Sequence, residues 1–493
     1  MLKFQDILDK LSIEQKIDII CNFPSIKDNG LINDCGVIRE SSYNSGEYLA
    51  ESPAFFALAR SWNNALIKKV SERFFAGCKD KHGISLMDLP SASVKVSPYS
   101  TGLSEDPYLT GSLVKACIDA GKSSHVATCL INPVLDKDTA EYTDKTLDSA
   151  VINDYLFKSY EYLKSNRPSV LKIDLHAGDS TFGEQNDKNV AEFSKNIPVL
   201  YSGVDSEYAF TEIFGKDKFV LGLNRSKLQD ACENYDTLTE RYKSGEIELS
   251  DVILSCEGGT AVSPDMLDRV VNNILTFSEY CGGDIRKSGD DQSYIVKEKS
   301  KQEKEEWFAT GVAAATESTV LLKNDGVLPL KKSQSFVLYG ELADYAKFQD
   351  VTLKSFLEKY AGKNFAGYAM GYSGKVLQKE KLVEAKSLFN KANIAVVAIG
   401  YNDEEAEFAR KNRNCRIPAP QEALINELYN SGKKVIAILY GDCSFDMSFD
   451  DKCAAVLLAS GFNKFDDYAI HKILFGQLSP SGKLINTLYA NTD

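Results

Sequence analysis

The sequence predicts an α/β protein of two domains, and three observations carry that reading. Short apolar runs alternate with helix-period segments up to about residue 283, a polar and highly charged stretch then interrupts them, and a second alternating series follows. In the first part the apolar runs place strands at Val126–Ile131, Ser169–Leu175, Pro198–Tyr201 and Phe219–Leu223, with helices at Ala150–Lys164 and Met266–Tyr280. Such alternation argues for a parallel sheet, and its length suits a (β/α)8 barrel, whole or with elements lost. Alternation alone does not separate a barrel from an open sheet. Gly282–Glu306 contains two glycines at its start, dense charge and no apolar period able to build a core, so it reads as a linker. The expected division is 1–283, a linker at 284–306, and 307–493 as an α/β sandwich with strands at Ser335–Tyr339, Ile394–Ile399, Lys434–Leu439 and Ala454–Ala459.

The chain has 493 residues, 43% hydrophobic and 26% charged, which describes an ordinary globular protein. A net charge of -13 repels phosphate backbones and anionic lipid, so neither nucleic acid nor a membrane surface is the expected partner. Small neutral ligands fit better. The N-terminal segment interleaves acids with apolar residues at helical spacing, unlike a secretory signal, and no window of about 18 apolar residues occurs. The 11 cysteines are scattered without a Cys-x-x-Cys pair, which points to reduced core thiols and a cytoplasmic protein. His82, His125 and His471 lack companions at ligand spacing, so no metal and no cofactor is expected.

Ala313–Leu330, AAATESTVLLKNDGVLPL, reads as a helix ended by the left-handed residue that Asn324-Asp325-Gly326 supplies, with Pro329 preventing its resumption. The same string resembles the segment joining the two domains of glycoside hydrolase family 3, the family of many β-glucosidases. Three further stretches in that family's order support the resemblance: SEDPYLTG at Ser104–Gly111, the Pro418–Gln421 turn, and LFGQLSPSGKL at Leu474–Leu484. The resemblance covers nearly the whole chain, and it implies that the first domain is a (β/α)8 barrel. It also implies that Glu105, Asp106 and Pro107 cap and orient the following helix, with Tyr108 and Leu109 packing inward.

What the resemblance implies for chemistry is less well kept. Retaining hydrolysis needs two carboxyl groups about 5 Å apart, one attacking the anomeric carbon and one protonating the leaving oxygen. The family's nucleophile is an Asp that follows a Ser at the end of a barrel strand. In PVLYSGVD the Ser matches Ser202, so the nucleophile position holds Gly203, and Asp205 lies two residues further on. A Lys-His pair that grips the sugar in the family falls here on Ile131 and Asn132. Other sugar-holding positions fall on Ser97-Pro98, on a stretch whose one acid is Glu40, and on Asn224. The acid/base, from the second domain, would be Glu405 or Glu407 in DEEAEFARKNRNCRIPAPQ, with Arg410 near. That stretch also reads as a solvated acidic loop.

Asp174, His176 and Asp179 form one further polar cluster at a strand end. Asp174 and His176 stand at alternate positions and point the same way, as either a local acid/base pair or a satisfied structural one. Three functions are open at this point. One is a protein of this build that has lost hydrolysis and serves in carbohydrate binding, regulation or assembly, with a protein partner or further copies of itself. Another is an active retaining β-glycosidase using Asp205 with Glu405 or Glu407. The third is different chemistry centred on Asp174 and His176. In the binding reading, Tyr43, Tyr48, Tyr99 and Tyr201 would supply stacking faces for a sugar.

Overall fold

The computed structural model describes residues 2–22, 40–42, 55–82, 86–89, 92, 103–131, 155, 157–174, 193, 197, 199–202, 219–220, 223–280, 300–345, 351–402, 405–406, 409, 414–441, 444–459 and 461–488. The chain forms two compact units. One comprises Met1–Ser42, Ser71–Ser93 and Val114–Lys297, the other Tyr43–Val70, Val94–Leu113 and Glu298–Asp493.

Among the described residues the first unit has six parallel strands: β1 (Glu40–Ser42), β2 (Leu86–Leu89), β3 (Ala127–Ile131), β4 (Val170–Asp174), β5 (Val199–Ser202) and β6 (Phe219–Val220). They lie side by side in chain order, β1-β2-β3-β4-β5-β6. Leu86–Leu89 is buried at all four positions, as parallel strands covered on both faces require. Of the helices expected here, Pro264–Tyr280 forms with Leu267, Val270, Val271, Ile274 and Leu275 buried along one face. That helix packs on Ile13–Asn22, where the Lys16 ammonium pairs with Asp268, and the Asn272 side chain accepts from the Phe4 amide at 3.1 Å. The helix expected at Ala150–Lys164 is described only in part. Within its described part the α-helix is Lys158–Glu161, with Phe157 and Tyr160 packed in an aromatic cluster with Phe193, and residues 150–154 and 156 lie outside the described residues.

Among the described residues the second unit carries six strands rather than the four expected: β7 (Val320–Asn324), β8 (Phe336–Tyr339), β9 (Phe365–Ala369), β10 (Ile394–Gly400), β11 (Lys434–Tyr440) and β12 (Ala455–Leu458). Their order is β7-β12-β11-β10-β8-β9, parallel except for β7. The chain steps from β8 outward to β9 and then back past β8 to β10, so the sheet is doubly wound about that point. The segment AAATESTVLLKNDGVLPL corrects the expectation most. The helix Lys301–Ser318 starts on a reciprocal Ser300/Glu303 cap and stops at Thr319, which is extended, and VLLKN is the antiparallel edge strand β7. Two consecutive β-branched residues, Thr319 and Val320, disfavour further helix, and pairing with β12 supplies the alternative. Gly326 does hold the left-handed conformation, at φ +85°, but it ends a strand. The same helix crosses Lys464–Leu474 at Gly311, where an added Cβ would meet the Phe465 ring at 2.4 Å.

His471 lies on that second helix, 3% exposed and ringed by Tyr360, Tyr468 and Phe475. Burial, and then the charge of Lys472, lowers its pKa to about 4. As pH falls below about 6.5 the unfolded chain takes up this proton and the native chain does not, so stability is lost on acidification. Between pH 7 and pH 5 the expected loss is about 2 kcal/mol from this group. Asp467, on the same helix, has its pKa raised by burial and then by Asp466, so its contribution runs the other way and falls as pH rises. Urea melts at both pH values on wild type and His471→Leu would isolate the histidine. An equal drop in the variant would refute the assignment.

SEDPYLTG belongs to the second unit, and its roles divide. Asp106 caps the helix Pro107–Ser124, accepting from the amides of Tyr108 at 2.7 Å and Leu109 at 3.1 Å. Glu105 does not cap it: its two oxygens accept from the Thr487 amide at 3.0 Å and the Thr487 hydroxyl at 2.8 Å. The Ser104 hydroxyl donates to the Ile485 carbonyl at 2.7 Å. Leu109 is buried as expected, whereas Tyr108 is 59% exposed.

Candidate functional site

Chemistry on parallel sheets gathers at the carboxyl ends of the strands. In the first unit those ends include Ile131, Asp174 and Ser202, and register pairs Asp174 of β4 with Ser202 of β5. Ser202 is the last described residue of β5, and Gly203 is next in the sequence. Gly203, Asp205, Asn132, His176 and Glu407 lie outside the described residues, as do Tyr43, Tyr48, Tyr99 and Arg410.

Two candidate positions, Asn224 and Glu405, are among the described residues, and each accepts from a backbone amide. Asn224 is the N-cap of the helix Arg225–Lys243, its side-chain oxygen accepting from the Lys227 amide at 3.3 Å. Glu405 is only 7% exposed, so its part of the acidic stretch is not a solvated loop. Its carboxylate accepts from the Asn402 amide at 3.1 Å while the Asn402 side chain accepts from the Glu405 amide at 2.9 Å. Such a reciprocal cap fixes the loop leaving β10.

The start of that loop is held more tightly still. Gln421 is fully buried and brackets one residue: its Oε1 accepts from the Gly400 amide at 2.7 Å and its Nε2 donates to the Gly400 carbonyl at 2.9 Å. Here lies the physical reason for the Pro418–Gln421 turn. Beside it, the Tyr372 hydroxyl donates to the Ala398 carbonyl at 2.8 Å. Burial pushes the Tyr372 phenol well up, a hydrogen bond with Leu342 opposes this, and the nearby charges of Glu341 and Glu405 push it further. Glu341 in turn accepts from the Ser373 hydroxyl at 3.0 Å and the Gly374 amide at 2.8 Å. Strand ends β8 and β10 therefore carry two carboxylates, Glu341 and Glu405, each hydrogen-bonded to its own chain.

One polar pair went unnoticed in the sequence. Asp88 on β2 is 6% exposed, and its carboxylate lies 3.6 Å from the Lys172 ammonium on β4, across the intervening β3. An acid inside an otherwise apolar strand, LMDL, was the available signal. Among the described residues, no three His, Cys, Asp or Glu side chains come together as a metal-holding group, and no helix is long and apolar enough to cross a membrane.

Together these features define a two-unit α/β protein, with one parallel sheet laid down in chain order and a second, doubly wound sheet carrying acids at its strand ends. Residues 319–493 match the model of the glycosyl hydrolase family 3 C-terminal domain. The chain is 26% identical over 461 residues to thermostable beta-glucosidase B of Acetivibrio thermocellus, covering 88% of this chain and 57% of that protein. It is 21% identical to an exo-alpha-(1->6)-L-arabinopyranosidase of Bifidobacterium longum, covering 88% of this chain and 58% of that one. Among solved structures, beta-glucosidase from Listeria innocua in complex with glucose superposes with a TM-score of 0.71 at 16% identity, over 99% of this chain and 76% of that one. The GH3 beta-glucosidase of Bifidobacterium adolescentis gives 0.70 at 18% identity, over 98% and 71%. The chain is thus similar to proteins of glycoside hydrolase family 3, and its residues 319–493 match that family's C-terminal domain. It spans a little over half the length of these curated relatives.

Proposed function

We propose that this chain is a glycoside hydrolase family 3-like protein with a carbohydrate-related binding or regulatory role and with hydrolysis lost or strongly impaired. The observation that carries the proposal is the sequence at the end of β5: Ser202 is its last described residue, and the next position, where the family places its nucleophile, is Gly203. A bare backbone position forms no glycosyl intermediate. The caps that Asn224 and Glu405 form on a helix and a loop support the same reading. On this proposal the first sheet is part of a (β/α)8 barrel, complete or reduced. Strand order in the sequence of the chain supports a barrel, since an open doubly wound sheet would reverse its order. The proposed division is 1–283, 284–306 and 307–493, with the helix Lys301–Ser318 beginning inside the expected linker, and cysteines scattered without a Cys-x-x-Cys pair support a cytoplasmic location.

The ligand class in view is a glucoside-like sugar, as in the complexes of the Listeria protein. The second reading, an active retaining β-glycosidase, is favoured by Asp205 lying two residues past Gly203, with Glu405 or Glu407 as acid/base. Chromogenic aryl glycosides over a panel of sugars separate the two. Expected is turnover no greater than about one-thousandth of that of an active family member, a loss of about 4 kcal/mol in transition-state stabilisation, and no change in Asp205→Ala. Turnover that Asp205→Ala abolishes would overturn the proposal in favour of the second reading. Calorimetric titration with the same sugars then tests the binding role.

A further inference from the structure

The family model begins at residue 319, yet the second unit also contains a piece of the first hundred residues. The turn after the short helix Phe55–Ala59 carries Arg60, which is 4% exposed, a rare condition for an arginine. Its guanidinium reaches the carboxyl ends of two neighbouring strands: Nη1 donates to the Ala459 carbonyl at 2.7 Å and Nη2 donates to the Gly441 carbonyl at 2.9 Å. Ala459 is the first residue past β12 and Gly441 the first past β11. Strand carboxyl ends are where α/β sheets of this build take their ligands. Gly441 turns there at φ +145°, against the Phe445 ring that a Cβ would meet at 2.7 Å.

The turn is braced to hold that arginine in place. The Arg60 carbonyl accepts from the Lys483 amide at 2.8 Å, the Ser61 hydroxyl donates to Leu58 at 2.6 Å, and the Asn63 amide donates to Glu317 at 2.9 Å. Trp62 sits at φ +52°, a strained conformation for so bulky a residue, which the surrounding bonds must enforce. A planar fork matches two carbonyls on adjacent strands, and an ammonium would not.

We propose that Arg60 is an internal ligand: the carbonyl ends of β11 and β12 form a seat for a guanidinium, and the second unit is complete only when the first part of the chain fills it. Shortening the side chain vacates the seat without altering its carbonyls. Ethylguanidinium is then the probe. In Arg60→Ala, millimolar ethylguanidinium is expected to raise the melting temperature by at least about 3 °C, with no rise in wild type and none from ethylammonium, which has charge but no fork. No shift in the variant, or an equal shift in wild type, overturns the proposal. Should Arg60→Ala be recovered only unfolded, refolding yield with and without ethylguanidinium serves as the readout, and failure of rescue counts against it. Arg60→Lys gives a second measurement. Hydrogen exchange should quicken at least about tenfold in peptides covering the carboxyl ends of β11 and β12 while β2–β4 is unchanged, and an unaltered pattern refutes the seat.

Discussion

Gly400→Ala is expected to destabilise the second unit by about 3–5 kcal/mol, lowering its melting temperature by roughly 10 °C. Two independent penalties combine at this position. Gly400 lies at φ +116°, where an L side chain is strained, and an added Cβ would come within 2.0 Å of the Tyr440 carbonyl oxygen. The carbonyl belongs to the last residue of β11, which is paired in register with Gly400 itself, so the strand cannot step aside without breaking the sheet. Nor can Gly400 rotate its peptide, because Gln421 holds both its amide and its carbonyl. Gly432→Ala is the matched control: φ is +73° there, but nothing lies within 4 Å of the added carbon, so only the strain of about 1 kcal/mol applies. Calorimetric melts of the two variants separate clash from strain. If they melt within a degree of each other, the close approach at Gly400 is not rigid and the argument fails.

Asp88→Asn should cost about 2–3 kcal/mol, because it removes a buried charge facing Lys172 while keeping the shape. Lys172 keeps a fifth of its side chain in water, which moderates the loss. Replacing both partners, Asp88→Leu with Lys172→Met, is expected to recover more than half of the deficit, since neither desolvated charge then remains. Denaturant melts of the single and double variants supply the test. A single variant within 0.5 kcal/mol of wild type, about the scatter of a surface change, would show that the pair contributes nothing.

The strands that were legible in the sequence are those buried on both faces, such as Ile394–Gly400 and Lys434–Tyr440, whose unbroken apolar runs leave no other reading. Those missed have less to show. β9, FAGYA, carries a glycine and is only half-buried at a sheet edge, and β7 looks helical until its antiparallel partner is known. The acidic loop was legible as a cluster of carboxyl groups. That Glu405 would be buried and tied to Asn402 was not, because a cap depends on where the helix turn falls and not on composition. Asp88 was overlooked because its partner is 84 residues away, on a strand that is not its neighbour.

The contacts of Ser104 and Glu105 with Ile485 and Thr487 bear on how such chains are recognised from their genes alone. Those letters serve anchorage whether or not a sugar is cut. A survey that counts SEDPY among the marks of a working glucosidase would be counting a fastening between two stretches of polypeptide nearly four hundred positions apart.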